Sequence, residues 1–247
     1  MDRRDFIKSG MMAAAAVAVT GTSIPFAMAD EEKQANGRIL KNMKTLLVNG
    51  SPHKNANTAT ALAEVAKALN AEGIETEVFW IGAKPVRGCI ACNACAKLQH
   101  CTFDDDACND LIAKMAEADS LVVGTPVYYG QPNGALMALV QRALRAHSAG
   151  VAGKPVACVA VCRRGGATAA IQCLNMPFLM LDCPVVGSQY WNIAYGRTPG
   201  EAAQDVEGMQ TMRRLGKNMA WLLKNLRREG ATPQSPREDW APMHFIR

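Results

Sequence analysis

Five short apolar runs, each followed by a stretch of helical periodicity, constrain this chain more than any other feature. A strand covered on both faces reads as a continuous apolar run, whereas a half-solvated strand alternates. Residues 45–48 (Thr-Leu-Leu-Val) form such a run and stop at Asn49-Gly50-Ser51-Pro52. Residues 77–81, 120–124 and 155–162 repeat the pattern, and a fifth strand is expected within 185–193. Between them, 58–70 places Leu62, Val65, Ala66 and Leu69 on one helical face, and 106–118 does the same with Leu111, Ile112 and Met115. Helices are also predicted over 134–146, 167–180 and 200–226. This alternation implies an α/β domain, a parallel sheet with helices on both faces and right-handed crossovers. A chain of 247 residues suits one such domain, and no internal repeat is visible.

The two ends read differently. Arg3-Arg4-Asp5-Phe6-Ile7-Lys8 resembles the twin-arginine export motif; an apolar stretch follows, then Pro25 and Ala27-Met28-Ala29, a small-x-small pattern suited to cleavage before Asp30. Residues 1–29 are therefore expected to be a signal peptide, 30–43 a polar linker, 44–227 the folded domain and 228–247, with three prolines, a tail or oligomer arm. The apolar stretch is shorter than the roughly 20 residues a bilayer demands. The expected product is an exported, periplasmic protein with no stable membrane span. Apolar residues at 49% and charged residues at 20% describe an ordinary globular protein, not a disordered one. The net charge of +5 is spread along helices without a long Lys/Arg run, so no nucleic-acid partner is expected.

In parallel sheets of this kind ligands bind beyond the carboxyl ends of the strands. Three polar loops fall there: 50–57, 125–133 and 163–166. In the first, Ser51, Pro52, His53, Asn57 and Thr58 precede or open a helix, whose free N–H groups suit a phosphate; Asn57 or Thr58 can equally serve only as the helix cap. The loop has neither GxxxxGK[ST] nor GxGxxG spacing. In the second, Pro126, Val127, Tyr128, Tyr129 and Gly130 present two aromatic faces that suit a planar ring; a plain turn is the alternative. In the third, Arg163, Arg164 and Gly165 offer positive charge beside backbone with no side-chain bulk, or a simple solvated basic turn.

Nine cysteines is a high count for this length. Cys108, Cys158, Cys162, Cys173 and Cys183 are scattered and read as small buried hydrophobes. Cys89, Cys92, Cys95 and Cys101 crowd into residues 89–101. Three readings stay open. Compact spacing suits a [4Fe–4S] cluster; four thiolates suit zinc, though usually as two separated pairs; export permits disulfides.

Taken together, Gly50-Ser51-Pro52, Asn57-Thr58, Gly88-Cys89-Ile90-Ala91-Cys92 with Cys95, Thr125-Pro126-Val127-Tyr128-Tyr129-Gly130 and Arg163-Arg164-Gly165-Gly166 resemble the NADPH-dependent FMN reductase family, most of all its iron–sulfur flavoprotein branch. The resemblance runs from about residue 44 to 226. It implies a flavodoxin-like, doubly wound five-stranded sheet of order 2-1-3-4-5. It places the FMN phosphate on Ser51, Asn57 and Thr58, the isoalloxazine between Pro126, Tyr128, Tyr129 and Gly130, and its pyrimidine edge by Arg164 and Gly165. His53 departs from the family's usual Arg, and export departs from its usual cytoplasmic setting. The implied activity is an FMN-dependent, NAD(P)H-type oxidoreductase that passes electrons between a small-molecule or protein partner, FMN and a [4Fe–4S] cluster on Cys89, Cys92, Cys95 and Cys101, in a homo-oligomer. A quinone or nitro-compound reductase without a cluster and a flavodoxin-like electron carrier are the alternatives. No nucleophilic or acid–base triad surrounds the four histidines.

Overall fold

The computed structural model describes residues 43–236, 238, 239 and 243. The stretch expected to be a signal peptide, 1–29, and almost all of the expected linker lie outside the described residues. Among the described residues six strands, β1 (Lys44–Asn49), β2 (Glu75–Trp80), β3 (Ser120–Tyr128), β4 (Gln131–Pro132), β5 (Val156–Cys162) and β6 (Ile193–Tyr195), interleave with six α-helices. The helices are α1 (Asn57–Ala71), α2 (Cys95–Leu98), α3 (Cys108–Glu117), α4 (Gly134–His147), α5 (Ala167–Leu179) and α6 (Val206–Arg227). The parallel strands run in the order β2-β1-β3-β5-β6, and β4 pairs antiparallel with the end of β3. Apart from that added hairpin arm, this is the expected 2-1-3-4-5 sheet.

The period of two along each strand sorts its side chains onto two helical layers. Leu46, Val48, Leu121, Val123, Val156 and Cys158 face α3, α4 and α5, where they meet Leu111, Met115, Leu136, Leu139 and Phe178. Leu47, Val122, Ala157 and Val159 face the other way, against Leu62, Val65 and Leu69 of α1 and Met212, Leu215 and Met219 of α6. All seven residues of β5 are buried, which is why 155–162 reads as one apolar run.

The last strand is displaced from its expected place. Within 185–193 the chain touches the sheet at Val185, bridged to Val156, and at Val186, whose N–H donates to the Val156 carbonyl at 2.8 Å; it then leaves the edge and rejoins it at Asn192 and Ile193. The Ser188 hydroxyl donates to the Tyr190 carbonyl at 2.6 Å in the intervening turn, leaving Tyr190 and Trp191 exposed. Among the described residues no helix is long and apolar enough to cross a membrane, and the described part of 228–247 holds no helix or strand.

Candidate functional site: three loops and a cysteine segment at one sheet edge

The loops after β1, β3 and β5 leave three neighbouring central strands at their carboxyl ends. The chain runs from β1 outward to β2 and then crosses back to β3, so the crevice opens where the strand order reverses.

Buried Asn49 shapes the first loop: its Oδ1 accepts from the Ser51 N–H at 3.1 Å and its Nδ2 donates to the Lys54 carbonyl at 3.0 Å. Gly50 donates to the Gly124 carbonyl at 2.8 Å, and a Cβ there would stand 2.4 Å from Leu136 Cδ2 and 2.7 Å from that same carbonyl oxygen. Only glycine lets these two strand ends approach so closely. Ser51 is 3% exposed; its hydroxyl accepts from the His53 N–H at 3.1 Å and its carbonyl from Trp80 Nε1 at 2.8 Å. Pro52 is half-buried, and His53 is exposed.

The loop delivers the chain to α1, whose N-cap is Ala56, without a side-chain cap. Asn57 and Thr58, both buried, already lie in the first turn and so are not the cap. The first-turn N–H groups of this helix remain available to an anion. Asn57 differs from expectation in one respect. Its Nδ2 donates to the Thr198 carbonyl at 2.9 Å and its Oδ1 accepts from the Ala202 N–H at 3.0 Å, so its amide fastens the 198–202 segment. What Asn57 can offer a phosphate is its main-chain N–H.

The second loop is a tight hairpin rather than an open loop. Val127 pairs with Pro132 and Tyr128 with Gln131, while Tyr129 (φ 49°) and Gly130 (φ 79°) both take left-handed conformations. Positive φ at both central residues is the geometry whose twist matches two antiparallel strands. Tyr128 is partly exposed and Tyr129 wholly so, at 107% of its reference surface. Pro126 and Val127 are half-buried. Arg163, Arg164 and Gly165 are exposed, and Gly166 opens α5 at φ 88°. A Cβ on Gly166 would stand 2.7 Å from Gly130 Cα, so the hairpin turn rests on the third loop. The Cys162 thiol takes the N–H groups of Arg164 and Ala167, though burial still pushes its pKa up.

Asn133 joins the first loop to the second. Its Nδ2 donates to the Gly50 carbonyl at 2.8 Å, its N–H donates to Thr125 Oγ1 at 2.9 Å, and its Oδ1 caps α4 through the Ala135 N–H at 2.9 Å. Sequence reasoning missed Asn133, Thr125 and Trp80. An Asn one residue before a helical stretch is a visible cap signal, but its second role depends on a residue 83 positions away.

The cysteine segment follows β2. Cys89 and Cys92 are exposed, Cys95 and Cys101 half-buried, and all four line one small cavity with Phe103, Arg142 and Arg145. Ala91, Asn93 and Gln99 all have φ near +60°, an uncommon state for residues with a Cβ. Sulfur acceptors have N–H donors here: Ala91 N–H to Cys89 Sγ at 3.4 Å, and Arg142 Nε and Nη2 to Cys101 Sγ at 3.3 Å each. Among the described residues no three His, Cys, Asp or Glu side chains converge as around a single metal ion. A cluster sets a different demand, since each thiolate meets its own iron. Four thiols around one cavity, with N–H groups on sulfur, fit that demand.

The other five cysteines behave as expected: Cys108, Cys158, Cys162 and Cys183 are buried and Cys173 half-buried. Burial pushes the Cys108 thiol up to about 12, so it stays protonated.

The sequence profile described as NADPH-dependent FMN reductase matches residues 43–198. An iron–sulfur flavoprotein of Methanocaldococcus jannaschii is 33% identical over 195 residues, covering 75% of this chain and 100% of its own. One from Methanosarcina thermophila is 31% identical over 187 residues, covering 74% and 96%. Among solved structures, a WrbA-like flavodoxin from Agrobacterium tumefaciens superposes with a TM-score of 0.52 at 17% identity, over 74% of this chain and 98% of that one, a likeness of fold.

Proposed function

Because the chain belongs to the NADPH-dependent FMN reductase family and is an FMN-dependent oxidoreductase, we propose that it passes electrons between an outside partner, FMN and a [4Fe–4S] cluster on Cys89, Cys92, Cys95 and Cys101. The observation that carries this reading is the gathering of those four thiols around one cavity. The names of both iron–sulfur flavoproteins support it.

The residues divide the work. Ser51, Thr58 and the uncapped first turn of α1 bind the FMN phosphate, with the Asn57 N–H among the donors. Tyr128 and Tyr129 cover the ring and keep water from it, while Val127, Pro126 and Gly130 set the hairpin that presents them. Gly165, with no side-chain bulk, would admit the ring's polar edge, where Arg163 and Arg164 would offset negative charge. When bound, FMN supplies two-electron chemistry and the cluster one-electron chemistry. The physiological partner is a small-molecule or protein electron carrier, and the working form a homo-oligomer.

Anaerobically purified protein tests the cluster directly. Wild type should carry iron, acid-labile sulfide and flavin absorbance. Cys92→Ala should lose the iron and sulfide and keep FMN, whereas Cys173→Ala should keep everything. Iron-free wild type, with free thiols appearing only after reduction, would instead indicate a flavin reductase with disulfides. Export through the twin-arginine route belongs to the same proposal and rests on residues 1–29. A mature N-terminus at Asp30 in the exported fraction, read by mass spectrometry, supports it, and a protein found only in the cytoplasm with Met1 intact removes it.

A further inference from the structure

Arg142 lies midway along α4, and its side chain is only 1% exposed. A guanidinium so deeply buried requires a counter-charge and a complete set of acceptors. It has both. Its Nη1 is ion-paired with the Asp106 carboxylate, itself 5% exposed, and donates at 3.2 Å to the Arg87 carbonyl. Nη2 reaches the Phe103 carbonyl at 3.4 Å. The remaining pair of donors, on Nε and Nη2, converges on Cys101 Sγ at 3.3 Å each. All five guanidinium N–H groups are thereby accounted for.

The choice of face is informative. The Nε/Nη2 edge is a fork that matches a carboxylate's two oxygens. Here that fork grips one sulfur, and Asp106 takes the other side of the guanidinium. A neutral thiol is a weak acceptor, so two charged donors on one sulfur suit a sulfur that carries negative charge, as a metal-bound thiolate does. Asn109 of α3 fixes the same residue through its main chain: Cys101 N–H donates to Asn109 Oδ1 at 2.8 Å, and Asn109 Nδ2 to the Cys101 carbonyl at 3.0 Å. Cys101 is thus held from two helices, whereas Cys89 and Cys92 are exposed and neighbour the left-handed residues Ala91 and Asn93.

We propose that Arg142, balanced by Asp106, is a positioning residue that fixes Cys101 as the anchored ligand of the cluster and, through its two N–H···S bonds, raises the cluster's reduction potential. This rests on the cysteine segment being an iron–sulfur site. One electron added to the cluster, without a proton, makes its thiolate-bound charge one unit more negative. A cation hydrogen-bonded to a ligand sulfur stabilises that reduced form over the oxidised one.

Two variants give opposite signs. Arg142→Lys keeps a positive charge but cannot fork onto sulfur, so the potential should shift negative. Asp106→Asn leaves Arg142 on the sulfur with its charge less neutralised, so the potential should shift positive. Both are purified and reconstituted anaerobically with iron and sulfide, then titrated with dithionite while the cluster signal is followed by electron paramagnetic resonance. FMN content reports that the fold is intact. Opposite shifts at wild-type FMN content support the proposal; if one variant fails to fold, the sign of the other decides. Potentials within error of wild type in both variants, or iron loss with the remaining clusters unshifted, mean that Arg142 is only a structural support and overturn it. A wild-type protein that takes up no iron overturns the cluster reading and this inference with it, an outcome separate from a normal cluster with unmoved potentials.

Discussion

The loop after β1 and the segment after β2 leave the sheet at the same edge, yet they are built in opposite ways. In the first, buried Asn49, Gly50 and Ser51 turn their polar groups into interior hydrogen bonds, with a glycine where the strands come closest. The second holds three residues with a Cβ in left-handed backbone and exposes two of its four thiols. Two of them, Ala91 and Gln99, each cost about 1–2 kcal/mol relative to ordinary backbone. Its fixed point lies at the far end, where Arg142 and Asn109 hold Cys101. The difference teaches where each site gets its shape. The loop after β1 is shaped by the sheet itself, whereas the cysteine segment depends on its anchors.

The strongest way to break this comparison is to remove the two hydroxyls proposed to hold the FMN phosphate. Ser51→Ala with Thr58→Ala deletes two charge-assisted bonds of about 1.5–3 kcal/mol each. FMN affinity, measured by fluorescence titration of the deflavinated protein, should fall about tenfold or more per site. Iron content should not change, because among the described residues no hydrogen bond joins 89–101 to that loop, and the Trp80 bond is to the Ser51 carbonyl, which both substitutions keep. Loss of iron alongside FMN would mean that the two regions share support, and unchanged FMN affinity would place the phosphate elsewhere.

A smaller effect is expected from Gly50→Ala. The added methyl would press on Leu136, which can yield, and on the Gly124 carbonyl oxygen, which is part of β3. Overpacking of this kind costs about 1–3 kcal/mol. Urea unfolding should show that loss in the deflavinated protein, together with weaker FMN binding. Wild-type stability would show that the strand ends can part without penalty and that the loop is less tightly built than its hydrogen bonds suggest.

How much of this was legible in the sequence follows the same division. Central strands could be read because burial on both faces leaves only apolar side chains, as in β5. The edge could not: β6 is three residues long, and the apolar letters of 185–193 belong mostly to a turn. The candidate phosphate loop was legible because its hydroxyls and helix start are local in sequence. Asn57 was read too simply, because the partner for its amide lies 141 residues away. Arg142 left no signal, since an arginine among Leu139, Val140, Ala143 and Leu144 reads as one more solvated charge. Only the fold brings Asp106 and Cys101 beneath it.

Tyr129 sharpens the comparison at its finest scale, because it shares the left-handed backbone of the cysteine segment without any anchor. At φ 49° it occupies a turn position that glycine or asparagine fills at little cost, and its fully exposed ring gains nothing from packing. A residue that is strained and also uncovered contributes nothing to the stability of the free protein, so its reward should come from a ligand. Tyr129→Asn relieves the backbone while removing the ring. The deflavinated variant should therefore unfold at a temperature equal to wild type or higher by about 2–4 °C, the shift that roughly 1 kcal/mol produces in a domain of this size. FMN affinity should fall only a few-fold, since an aromatic contact adds about 0.5–1.5 kcal/mol. The two readings must move in opposite directions. A variant that melts lower and binds FMN as wild type does would show that Tyr129 serves the hairpin, leaving Tyr128 as the aromatic cover of the flavin.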